Sequence, residues 1–148
     1  MSYFQSFSER VAVLKSGVAV TGAPGAIYNV TGGRIMLWGL FGSVATVIGA
    51  GVTSLLLRAN PTTGADTDLC ANGVITSAPV ASLFSITGTV TDALAVNLLT
   101  QGAIKSQTAP LIIQPGTIDI IVTGGTTGTV DWRALWDSID SGSVLTAA

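Results

Sequence analysis

Apolar and polar residues alternate with a period of two along most of this 148-residue chain, the pattern of strands that bury one face. In residues 10–20, RVAVLKSGVAV, one side carries Val11, Val13 and Lys15 and the other Arg10, Ala12 and Leu14. A charge on each face suits an edge strand. A turn cluster at residues 21–25, TGAPG, leads into a short strand over 26–30 that ends at Gly32-Gly33. In residues 80–87, VASLFSIT, Val80, Ser82, Phe84 and Ile86 oppose Ala81, Leu83, Ser85 and Thr87. The last third reads as four strands separated by three turns: residues 111–114, 117–123, 129–139 and 144–146, punctuated by Pro115-Gly116, by GGTTG at 124–128 and by Ser141-Gly142-Ser143. In residues 129–139, TVDWRALWDSI, Val130, Trp132, Ala134 and Trp136 share one face, while Asp131, Arg133, Leu135 and Asp137 share the other. The first set predicts a core ladder, the second a surface charge row of little energetic weight.

The longest apolar run, residues 35–57, holds no charge and is flanked by Arg34 and Arg58. Its length would span a bilayer as a helix. Its content argues otherwise: Gly39, Gly42, Gly49 and Gly51 interrupt it, and Val44, Thr46, Val47, Ile48, Val52 and Thr53 are branched at Cβ, which favours strands. With Gly49-Ala50-Gly51 as a turn, the run predicts a buried hairpin of residues 34–48 and 52–59, bent at Gly39 and Gly42.

Residues 60–73, NPTTGADTDLCANG, form the longest polar stretch and predict a loop, opened by Asn60-Pro61 and closed by Asn72-Gly73. Asp66 and Asp68 lie two apart within it, but no glutamate follows to complete a calcium loop. Residues 91–99, TDALAVNLL, fit neither period cleanly: Asp92 could cap a short helix, or the piece is a further strand, the reading preferred here. Two readings of residues 1–10 stand side by side. They are an unstructured tail, or an arm that orders on a neighbouring subunit or a capsid through Tyr3, Phe4, Phe7 and Arg10.

Composition then narrows the function. Hydrophobic residues make up 48% and charged residues only 9%, where soluble domains have roughly 25% charged. A β-rich surface so poor in charge associates edge to edge unless it is covered, so a homo-oligomer or an assembled particle is expected. With a formal charge of -2 there is no basic excess for a nucleic acid partner. The chain has no histidine, one glutamate (Glu9) and one cysteine (Cys70). A hydrolytic triad lacks its usual base, a His/Cys zinc site lacks ligands, and no glycine stretch carries a P-loop lysine. The expectation is therefore no enzyme, cofactor or metal, with Cys70 a small buried hydrophobe. No secretory leader is evident in MSYFQSFSER. Many short strands joined by Gly, Pro and Asn turns predict an all-β, antiparallel β-sandwich of jelly-roll type over residues 11–148, preceded by the arm.

The pattern GGRIMLWGLFGSVATVIGAGVTSLLLRANPTTGADTDLCANG, followed by ITGTV and a terminal GTVDWRALWDSIDSGSVLTAA, resembles the small β-sandwich virion proteins of tailed bacteriophages. The likeness covers about residues 10–148, in turn and strand patterns rather than catalytic signatures. It implies a capsid decoration or cement protein, on the virion exterior, sitting as an oligomer, often a trimer, on the lattice of the major capsid protein. It implies no particular site residues and no membrane partner. The alternative is a head-fibre or tail-fibre domain contacting a host surface, which would carry aromatic residues in its loops.

Overall fold

The computed structural model describes residues 11–51, 53–124 and 127–148. Its strands are β1 (Val11–Ala19), β2 (Gly25–Thr31), β3 (Ile35–Thr46), β4 (Ser54–Pro61), β5 (Thr67–Asp68), β6 (Gly73–Val74), β7 (Leu83–Ser85), β8 (Ala95–Asn97), β9 (Leu111–Ile113), β10 (Gly116–Thr123), β11 (Thr129–Ser138) and β12 (Val144–Ala147). Among the described residues no helix is long and apolar enough to cross a membrane. The arm expected over residues 1–10, with Tyr3, Phe4, Phe7 and Arg10, lies outside the described residues.

Two antiparallel sheets pack on a shared core, giving the expected β-sandwich. The first has the order β1-β11-β3-β7-β8, with β9 also on β3; the second has β12-β2-β10-β4-β5, with β6 also on β4. β1 is at an edge, as expected for the strand read over residues 10–20. The β10–β11 pair runs through the middle of both layers: β10 lies between β2 and β4, and β11 between β1 and β3. Alternation in β11 puts Val130, Trp132 and Ala134 inside and leaves Asp131, Arg133 and Leu135 half-buried.

The expected hairpin of residues 34–48 and 52–59 does not form. β3 lies in the first sheet and β4 in the second, so residues 47–53 carry the chain from one layer to the other. The physical reason is burial. Leu37, Leu40 and Val44 of β3 and Leu55 and Leu57 of β4 are all buried, and side by side in one sheet they would present an apolar face with nothing opposite. In opposite layers they bury one another. The crossing is one of three at this end of the sandwich. Val20, just after β1, donates its N–H to the Gly128 carbonyl at 3.0 Å, and Gly49 donates to Thr127 at 3.0 Å, so the β1–β2, β3–β4 and β10–β11 corners are tied together. Gly128 has φ +115°, and a Cβ there would come within 2.7 Å of Ile48 Cδ1; the stack requires a glycine on both counts.

Residues 60–73 are less of a loop than their polarity suggests. β4 continues to Pro61, and the two short strands β5 and β6 turn back to pair with it, Arg58 opposite Asp68 and Leu55 opposite Gly73. Residues 91–99 contain a strand, β8, paired with β7. In the core, Trp132 faces Phe84 with ring centroids 6.4 Å apart and planes tilted by 41°, an offset geometry that aromatic pairs favour. Gly42 makes the room: a Cβ there would lie 2.8 Å from Val130 Cγ1 and 2.9 Å from Trp132 Cζ3.

Candidate interaction surfaces

Three of the carboxylates, Asp68, Asp92 and Asp140, are occupied in holding loops. Asp68 accepts from Arg58 Nε at 2.6 Å, Asp92 from the Thr87 hydroxyl at 2.7 Å, and Asp140 from the backbone and side chain of Arg34 at 2.8–2.9 Å. Among the described residues no three His, Cys, Asp or Glu side chains gather where they could hold a metal ion. Cys70 is buried, and burial, with a smaller push from the Asp68 charge, raises its thiol above the ordinary value. A thiol so placed is poorly nucleophilic.

Interaction surfaces are where the structure is informative, because its two outer faces differ. On the first sheet, cross-strand rows run Leu14–Arg133–Phe41 and Asp137–Met36–Ile112. Leu14, Phe41 and Ile112 are exposed, and Trp38 spends its indole N–H on Asp137 Oδ2 at 2.9 Å. On the second sheet the rows run Asn29–Thr117–Asn60 and Asp119–Arg58–Asp68. There Asn60 Nδ2 donates to Asp119 Oδ2 at 3.2 Å beside the Arg58–Asp68 pair, while Asp119 Oδ1 is buried without a hydrogen-bond partner among the described residues. The second sheet thus carries the more paired polar groups, although Val74 on β6 and Val144 on β12 are exposed there.

At the side of the sandwich away from β1, an apolar cleft of about 160 Å³ opens between β9 and the β4–β5 turn. Ala59, Pro61, Ala65, Leu69, Leu111 and Ile113 line most of it. Its size is below the ~300 Å³ at which small-molecule sites begin. It matches the ~150 Å³ apolar cavity that takes up a single benzene ring.

A third feature is the tip after β8. Asn97, 6% exposed, accepts from the N–H groups of Thr100 (3.0 Å) and Gln101 (3.3 Å) and donates to the carbonyls of Gln101 (2.6 Å) and Ala103 (3.0 Å). The turn built around this amide projects Leu98 and Leu99, 40% and 55% exposed, and holds Leu99 at φ +66°. For a leucine that conformation costs about 1–2 kcal/mol. The turn thus keeps an exposed leucine in a strained backbone conformation.

None of these features stood out in the sequence. The cleft draws on residues from 59 to 114 that meet only in three dimensions, whereas Asn97-Leu98-Leu99 was legible as a polar residue before two leucines without a sign that the amide would be the peg. Comparison with family models, with curated proteins and with solved structures gives no match, so the surfaces are interpreted on their own chemistry.

Proposed function

We propose that this chain is a structural virion protein of a tailed bacteriophage, a capsid decoration or cement protein that binds the outer lattice of the major capsid protein as an oligomer, most simply a trimer. The carrying observation is a surface poor in charge and rich in exposed large aliphatics, Leu14, Val74, Leu99 and Ile112 among them, with Asp68, Asp92 and Asp140 occupied as described. Such a surface is better suited to being covered than to standing free.

Strand order supports the same reading. Leaving aside β6, β7, β8 and β12, the eight remaining strands run first–eighth–third–sixth in one sheet and second–seventh–fourth–fifth in the other, an order that supports reading the sandwich as a jelly roll, an architecture found in viral capsid proteins. The chemistry expected of a fibre domain is weaker here, because every aromatic residue among the described residues sits in a strand and none in a loop. The test is to add the purified protein to capsids that lack it. Co-sedimentation and a higher capsid melting temperature are expected; failure of both overturns the proposal in favour of a fibre or tail component.

A further inference from the structure

The tip after β8 and the cleft beside β9 sit at opposite ends of β3. Asn97 pairs with Leu83 and Leu83 with Ser43, whereas Leu111 at the cleft pairs with Leu37. From Ser43 back to Leu37 is about 20 Å at ~3.3 Å per residue. β8 runs in the same direction as β3, because each is antiparallel to β7, so the tip follows at the Val44 end, away from the cleft. With its turn pegged by Asn97, a subunit cannot fill its own cleft with its own tip.

Tip and cleft nevertheless suit each other. The cleft is apolar and about 160 Å³, room for one side chain of leucine or phenyl size, and Leu99 is exposed. Leu98 beside it, and Val90 and Ile112 at the cleft, are exposed as well, so one contact covers four large aliphatic side chains. The flanks are opposite in charge: Lys105 follows the tip, and Asp66 lies between the cleft residues Ala65 and Thr67. Both are exposed, and neither is in an ion pair among the described residues.

We propose that copies of this chain associate head to tail, with Leu99 of one subunit seated in the cleft of the next and Lys105 of the first facing Asp66 of the second. Size, apolarity and charge select a second copy as the occupant. Because knob and hole are different surfaces, the contact is heterologous, and a step of one third of a turn closes it into a trimer. The proposal rests on the oligomeric part of the reading above and concerns the protein free in solution, without a capsid.

Sedimentation of the purified full chain over a concentration series tests this. Wild type is expected to self-associate. Leu99→Gly, which removes the knob, and Ala65→Phe, which fills the cleft from its own side, should each weaken association about tenfold or more. Lys105→Glu should weaken it too, with Asp66→Lys in the same chain restoring it. Chains carrying one added cysteine then locate the contact, and Cys70, being buried, does not interfere. Gln101→Cys mixed with Gln114→Cys and mildly oxidised should give mixed disulfide dimers in about tenfold excess over like dimers, because the contact holds the two thiols at high effective concentration. A monomeric wild type, association unchanged in Leu99→Gly and Ala65→Phe, no rescue by the second charge, or equal yields of mixed and like dimers would overturn the proposal. Capsid binding by a chain that fails these tests leaves the decoration reading standing alone; a head-to-tail oligomer that binds no capsid does the reverse.

Discussion

Arg34 and Asp140 join two turns that are more than a hundred residues apart in the chain. The Arg34 backbone N–H and Nε both donate to Asp140 Oδ2, at 2.8 and 2.9 Å, and the guanidinium NH2 group donates to Oδ1 at 2.9 Å. The contact fastens the β2–β3 crossing to the β11–β12 crossing, at the end of the sandwich opposite the three stacked corners.

That contact sets an acid limit on stability. The Arg34 hydrogen bonds hold the Asp140 carboxyl well below the usual carboxylate range, so the unfolded chain binds the proton more readily than the folded one. The stabilisation is complete above the unfolded value near 4 and is lost as pH falls from there toward the folded value. Because the pair is exposed, salt weakens it. Thermal melts from pH 6 to 2 should show Asp140→Asn with a lower melting temperature at pH 6 and a shallower acid decline than wild type. Parallel curves would show that Asp140 does not contribute.

Gly42 is where the aromatic core tolerates no side chain. Gly42→Ala pushes a methyl group into Val130 and Trp132 and should cost about 1–3 kcal/mol, the usual penalty for overpacking. Trp132→Ala should cost about 3–5 kcal/mol. Urea unfolding with unchanged m-values measures both; a neutral Gly42→Ala would mean that β3 and β11 separate more easily than the unbroken register from Val130–Val44 to Leu135–Gly39 implies.

The tip predicts a trade of stability against binding. Leu99→Gly removes the side chain but also the left-handed strain, and should stabilise the isolated protein by about 1 kcal/mol while weakening its attachment to capsids. Asn97→Ala should do the opposite to stability, losing about 1–3 kcal/mol as buried backbone groups lose their partner. If Leu99→Gly destabilises, the tip is held by packing rather than presented for contact.

Cys70 offers a simple check on the packing around β5. A buried thiol whose ionisation is pushed upward should not react with a neutral alkylating reagent in the folded protein at pH 7.5, and should react fully in denaturant. Rapid native labelling would show that the segment carrying Cys70 opens readily.

The sequence made β11 legible because a strand between a core and a surface must alternate, and Val130, Trp132 and Ala134 do. Glycine-rich junctions were less legible. Gly49-Ala50-Gly51 looks the same whether the chain turns back within a sheet or crosses to the other, and the choice was made by β10 and β11, some seventy residues further on, which supply the partners for β4 and β3. The polar residues 60–73 hid two short strands because pairing there rests on backbone bonds and the Arg58–Asp68 contact rather than on apolar side chains. Surfaces were the least legible. Charge poverty led to the expectation of a covered surface, but whether a face is apolar depends on which residues from four or five strands fall into register.

Electron cryomicroscopy of intact virions is the most direct test of the central claim, that this sandwich works by being covered in a shell. Density for the two sheets should appear on the outside of the capsid in clusters around threefold positions, with the Leu98–Leu99 tip against the major capsid protein or a neighbouring copy. A particle that carries the chain only at a fibre tip, or lacks it altogether, would contradict the account.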